Sequence, residues 1–300
     1  MKPVLRLNAG YQKMMDNLCD LYLVLKKTNN LNKMKNIKLY IILLITIFFS
    51  GSCELDLDRI PESNLSDAAF WTTDQNFKDA CNRFYVFVDG ENEIVFDDLR
   101  TDYSVDRRAP NEISSGTRIV PNTSNDWNKP YQIIFIANEI LKQSEGSELA
   151  NIARWQAEAR WWRAYAYFSL LAKYGGVPLV LRPLDISDEE LYGGRAERSA
   201  VVQQIYDDLD FAALNLPTFT QLGAADYGRV SRSAALAFKA RVALYEGTRQ
   251  KFHNFGTPAT HLELAVNAAQ TVMTEGEHNL YPDYYKLFRM EGEGFANKEC

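Results

Sequence analysis

The sequence predicts an all-α protein, an irregular α-solenoid of helix pairs with long loops inserted between them. Three observations carry this. Apolar residues recur with a period near 3.6 over almost the whole stretch from Thr72 onward. Helix-start and helix-stop residues bracket the periodic segments. Within the pairs, alanines stand beside large aromatics, a pattern that lets helix axes approach closely. The 300 residues are 46% hydrophobic and 12% aromatic, enough apolar surface for one large core or two modest domains. With 16 Gly, 10 Pro and no low-complexity tract, collagen-like, linker-rich and mucin-like chains are excluded.

The elements follow in order. Thr72 with Gln75 forms a capping box, after which Phe77, Ala80, Cys81, Phe84, Tyr85 and Val88 make one apolar stripe. From Glu91 to Asn128 charged residues interrupt any period, so this stretch reads as a long surface loop, the place to look for ligand contact. A second helix is expected from Asn128 to about Gln143, with Pro130 in its first turn. The third spans Ile152 to Tyr174, where Gly175, Gly176 and Pro178 stop it. Its aromatics, Trp161, Trp162, Tyr165 and Phe168, lie all round the cylinder, which points to core and not to a ligand platform. Arg154, Glu158 and Arg163 read as ordinary surface or interhelical pairs.

A fourth helix is expected behind an N-cap at Ser199, ended by Pro217, with Asp207, Asp208 and Asp210 on its outer face. The fifth runs from Ser231 to Gly247. The sixth starts at a Thr260 and Glu263 capping box and uses Ala265, Val266, Ala269 and Met273. This pairing is tetratricopeptide-like, but the pairs are spaced irregularly, so loops must be inserted between units. An ordinary α-helical bundle predicts nearly the same periodicity.

Ahead of this body, Met34 opens a basic flank, the apolar run Leu39 to Phe49 and the small residues Ser50, Gly51 and Ser52 before Cys53. That is a secretory signal over residues 34–52, too short for the ~20 residues a spanning helix needs. Residues 1–33 read as an upstream extension from a mis-assigned start, and 53–66 as a polar tether before a helical domain over 67–300. The residues before Cys53 carry eight Lys/Arg against two acids. The formal charge of −6 for the whole chain therefore falls by six, to −12, from Cys53 onward. A body that acidic repels phosphate backbones, and nucleic acid is not expected as a partner.

No HExxH, GxSxG, P-loop or complete GxGxxG is present, and His253, His261 and His278 are scattered. Cys19, Cys81 and Cys300 lack metal-type spacing, and Cys81 falls on the apolar side of the first helix as a core residue. The expectation is no catalytic residue, no metal and no cofactor. A glycosidase needs only two carboxylates, and the acids that follow Cys53 supply many, so a lipoprotein glycoside hydrolase is the weaker alternative.

Phe49-Ser50-Gly51-Ser52-Cys53 resembles a bacterial lipobox, although Ser50 stands where Leu is common. The resemblance makes Cys53 the acylated anchor residue. Four blocks resemble the SusD/RagB family of nutrient-binding outer-membrane lipoproteins: DLDRIPESNLSDAAFWTTDQNFKDACNRFY, WNKPYQIIFIANEIL, AEARWWRAYAYFSLLAKYGGVPLV and YGRVSRSAALAFKARVALYEG. The resemblance implies a SusD-like fold of tetratricopeptide-like units carrying a loop-rich ligand face. It implies oligosaccharide binding, or peptide binding as in RagB-like members, and delivery to a SusC-like TonB-dependent transporter in the outer membrane. It also implies that this chain is the N-terminal part of a longer protein.

A glycan site needs flat aromatic faces together with amide and charged groups. The candidates are Tyr103, Arg107, Arg108, Asn125, Trp127 and Asn128, of which Trp127 lies in a recurrent family block and is also a candidate scaffold residue.

Overall fold

The computed structural model describes residues 70–102, 104–107, 111–289 and 297. The chain divides into two compact units, Met1–Asn64 and Leu65–Cys300, and the described residues all belong to the second. The leader, Cys19, Cys53, the tether, Tyr103, Arg108 and Cys300 lie outside them.

Among the described residues the secondary structure is helical, with no strand. The elements are α1 (Asp74–Asn82), α2 (Glu91–Asp98), α3 (Asn125–Gln143), α4 (Ile152–Tyr174), α5 (Arg198–Asn215), the short α6 (Phe219–Leu222), α7 (Arg232–Phe252), α8 (Pro258–Glu275) and the short α9 (Tyr284–Leu287). Each long helix packs chiefly on its neighbours in chain order: α3 on α4, α4 on α5, α5 on α7 and α7 on α8. Such a chain of neighbour contacts is the signature of a solenoid.

α4 is the central element and keeps the bounds expected of it. Ala157, Ala159, Ala164 and Ala166 are fully buried, and Trp155, Trp162, Tyr167, Leu170 and Leu171 join them. The aromatic ring of this helix is core: Trp162 stacks on Phe84, and Trp161, Tyr165 and Phe168 meet Phe238 of α7. Cys81 is buried on α1 as expected. At the end of α4, Gly175 has φ +78°, and a Cβ on Gly176 would stand 2.2 Å from the Ala196 carbonyl oxygen, so both positions require glycine. Arg198 Nη1 donates at 3.0 Å to the Leu171 carbonyl, which also accepts from the Gly175 N–H, and Arg195 Nε donates to that of Gly176 at 2.6 Å, so two arginines hold the chain just where the helix ends.

Several boundaries differ from the sequence expectation. The cap of α1 is Thr73, whose Oγ1 accepts from the Asn76 N–H, and not Thr72. α1 then tightens into a 3₁₀ turn over Arg83–Phe87, which shifts the period from 3.6 to about 3.0 and carries Val88 off the stripe into solvent. The expected loop at 91–128 begins with α2, whose Ile94 and Val95 face solvent and do not announce it as a buried stripe would. α3 starts at Asn125 behind a Ser124 cap, leaving Pro130 inside the helix. α5 starts at Arg198 with no side-chain cap, and Ser199 lies in its first turn. α8 starts at Pro258, and Thr260 is already helical. Its buried alanines are Ala265 and Ala268, whereas Val266, Ala269 and Met273 are exposed.

α7 runs past Gly247 to Phe252. A Cβ at Gly247 would lie 2.9 Å from Leu262 Cγ, so this glycine serves the close approach of α7 and α8 and does not end the helix.

The largest correction concerns charge. Arg163, Asp208 and Glu158 are buried, not superficial. Arg163 meets Asp208 through two parallel bonds, Nε to Oδ2 at 2.8 Å and Nη2 to Oδ1 at 2.6 Å, while its Nη1 donates to Asn138 Oδ1 at 2.8 Å. Asn138 Nδ2 passes the contact on to the Val180 carbonyl at 3.0 Å. The extended segment after Pro178 is thus held by side chains of α3 and α4. Tyr167 contributes its hydroxyl to both the N–H and the carbonyl of Val180. Glu158 Oε1 accepts from Arg229 Nη2 at 2.7 Å and from the Tyr85 hydroxyl at 3.0 Å. Burial raises the Glu158 pKa, with Arg229 and Tyr85 opposing that rise.

Candidate ligand-binding site

The outward face of α3 carries the site. Its N-terminus is fixed by the Ser124 cap and by Lys173 Nζ, which lies 2.6 Å from Asp126 Oδ1 and ties the start of α3 to the end of α4. Burial opposes ionisation of Asp126, yet the hydrogen bond and charge of Lys173 outweigh it and hold the carboxyl below the ordinary carboxylate range. The next residue, Trp127, is half-buried between Tyr131 and Tyr174, with ring centroids 5.1 Å away in each case. Tyr131 is pinned in turn, its hydroxyl donating to the Pro178 carbonyl at 2.8 Å. Burial pushes the Tyr131 pKa up to about 12, still further from ionisation than an ordinary tyrosine.

Two clefts flank this helix and share Phe87. The first, of about 500 Å³, is lined by Arg83, Phe87, Trp127, Asn128, Tyr131, Gln132, Phe135 and Ile136. Aromatic walls with two amides and one guanidinium suit a ligand that combines flat apolar faces with hydroxyl groups. The second, of about 300 Å³, is charged. Asp89, Glu93 and Lys129 line it together with the Asp97–Arg100 and Asp126–Lys173 pairs and Asn125.

The structure therefore brings Trp127 and Asn128 into the aromatic cleft and puts Asn125 in the charged one. Arg107 is exposed in the connection between α2 and α3, lining neither cleft. Tyr103 and Arg108 lie outside the described residues. Sequence reasoning did not single out Arg83, Phe87, Gln132 or Phe135. The four-residue spacing of Trp127, Tyr131 and Phe135 is the signal that sequence offers, and a helix start placed at Asn128 hides it.

Among the described residues no group of three or more His, Cys, Asp or Glu side chains is arranged to hold a metal ion. No described helix is long and apolar enough to cross a membrane. Two of the three histidines fasten helix junctions separately: His261 lies between Tyr206 and Gln250, and His278 Nε2 is 2.7 Å from Ser233 Oγ.

A family model for SusD-like proteins, described as starch-binding and associating with the outer membrane, matches residues 57–244. The chain belongs to the SusD-like family. A SusD-like protein, P38, of Formosa agariphila is 28% identical over 229 residues, covering 72% of this chain and 43% of the relative. The chain spans about half the length of the curated relatives it matches. A SusD-like crystal structure from Bacteroides fragilis superposes with a TM-score of 0.65 at 22% identity over 80% of this chain and 46% of that one, a likeness of fold. A laminarin-binding SusD-like protein superposes with a TM-score of 0.57 at 26% identity, covering 72% of this chain and 48% of that one. The SusD-like fold, expected from the four sequence blocks, is the fold observed.

Proposed function

We propose that this SusD-like chain is part of a cell-surface lipoprotein that binds oligosaccharide nutrients and passes them to a SusC-like TonB-dependent transporter, without chemical change to the ligand. The single observation that carries the reading is the cleft on α3, where Trp127, Tyr131 and Phe135 stand beside the amides of Asn128 and Gln132. Sugar rings offer apolar C–H faces to aromatics and hydroxyls to amides, so this mixture fits a glycan better than a purely apolar ligand. Family membership and the likeness to a laminarin-binding structure support it. Cys53, acylated, is the proposed anchor, because several chains on one residue make attachment durable where one chain binds only marginally.

Isothermal titration of the full chain against panels of oligosaccharides and short peptides tests the ligand class. Saturable binding of an oligosaccharide is expected. Peptide binding without any sugar binding would replace this reading with peptide import.

A further inference from the structure

The aromatic residues of the cleft are not scattered over it. Trp127, Tyr131 and Phe135 recur at every fourth position of one helix, and Asn128 and Gln132 form a second row one residue further round. With 1.5 Å of rise and 100° of rotation per residue, a four-residue step advances ~6 Å along α3 and drifts roughly 40° around it. The aromatic row therefore spans ~12 Å in a slanted line, with amides alongside.

Each step is comparable to one sugar unit of an extended chain. Resting on the glycan reading above, we infer that the cleft takes an extended, uncharged oligosaccharide of about three units, lying obliquely along α3 with its ring faces on the aromatic row and its hydroxyls toward the amide row.

Three observations support this occupant. Neither amide is hydrogen-bonded to another described residue, and the Trp127 indole N–H has no such partner either, so all three are available to hydroxyls. The row is pre-organised where it begins and open where it ends. Tyr174 and the Tyr131–Pro178 bond fix the first two rings, whereas Phe135 is 55% exposed and enters no ring contact with another described residue. Pre-set rings bind without first losing rotamer freedom. Charge at long range disfavours an acidic ligand, because the formal charge falls to −12 after Cys53 and the described lining of the cleft sets a single cation, Arg83, against it.

The test is calorimetric titration of the full chain with neutral laminari-, cello- and xylo-oligosaccharides of two to six units, and with oligogalacturonides of the same lengths. For the neutral series that binds, affinity should rise up to three or four units and then level off. Phe135→Ala should lower affinity for the trimer and longer chains roughly tenfold, about 1.4 kcal/mol, while leaving the dimer within about twofold. Gln132→Ala should act in the same direction. Tighter binding of the acidic series, or neutral binding that Phe135→Ala and Gln132→Ala leave unchanged at every length, would overturn this inference and leave the glycan reading standing. Absence of binding to every oligosaccharide would overturn both.

Discussion

The two faces of α3 make opposite use of the same helix. Inward, Ile133, Ile134, Ala137 and Ile140 are sealed against α4, and Asn138 enters a buried chain of polar contacts that ends on the backbone after Pro178. Outward, Trp127, Asn128, Gln132 and Phe135 surround open space and keep donors unspent. The inner face gains from completeness, because a buried polar group without its partner costs about 1–3 kcal/mol. The outer face gains from incompleteness, because a donor already satisfied within the protein has nothing to offer a ligand. Substitutions on the inner side and at the helix junctions it serves should therefore cost stability, and those on the outer side affinity.

The largest effect is expected at Asp208. Its removal strands Arg163, which is 4% exposed, in the low-dielectric junction of α3, α4 and α5. Asp208→Ala should cost about 3–5 kcal/mol in urea unfolding. A loss under 1 kcal/mol would show that water reaches the arginine and that the inner network is not closed.

Next is Glu246, held by Arg198 Nη2 at 2.8 Å. Burial raises its pKa, but the hydrogen bonds from Arg198 and Gln250 outweigh burial and set it below the usual glutamate value. A carboxyl lowered in the fold adds stability above the unfolded value of ~4.3 and loses it as pH falls through the folded value. Glu246→Gln should thus be less stable than wild type at pH 7 by about 1.5–3 kcal/mol, with the gap closing toward pH 3. A gap constant with pH would remove the charge from the account of this junction.

A smaller loss is expected at Gly247. Its Cβ would press on Leu262, but alanine restores about 1 kcal/mol of helix propensity, so Gly247→Ala should lose only about 1 kcal/mol net in thermal unfolding. Stabilisation instead would mean that α8 yields without cost.

These sites also show what could be read in advance. α4 was legible to the residue, since its apolar positions go all round, Gly175 and Gly176 end it, and burial enforces the pattern. The fifth helix, expected to run only to Gly247, continues to Phe252, because a glycine needed for interhelical approach carries no mark in the sequence that the helix goes on. Asp208 was read as outward because carboxylates usually face water, and Arg163 is 45 positions away. α2 goes unseen because its Ile94 and Val95 face solvent, and the true start of α3 because it rests on the Ser124 cap and a distant lysine, Lys173. The same error hid the row that starts at Trp127. Two of the six candidate residues, Trp127 and Asn128, nevertheless line the aromatic cleft, because residue types that suit sugars stand beside the long connection.

The most direct test of the division between the two faces is the double variant Asn128→Ala/Gln132→Ala, measured for oligosaccharide affinity by calorimetry and for thermal unfolding. Both side chains are exposed, so unfolding should stay within about 0.5 kcal/mol of wild type while affinity falls roughly tenfold or more. Unchanged affinity, or a loss of affinity matched by a loss of stability, would contradict the account.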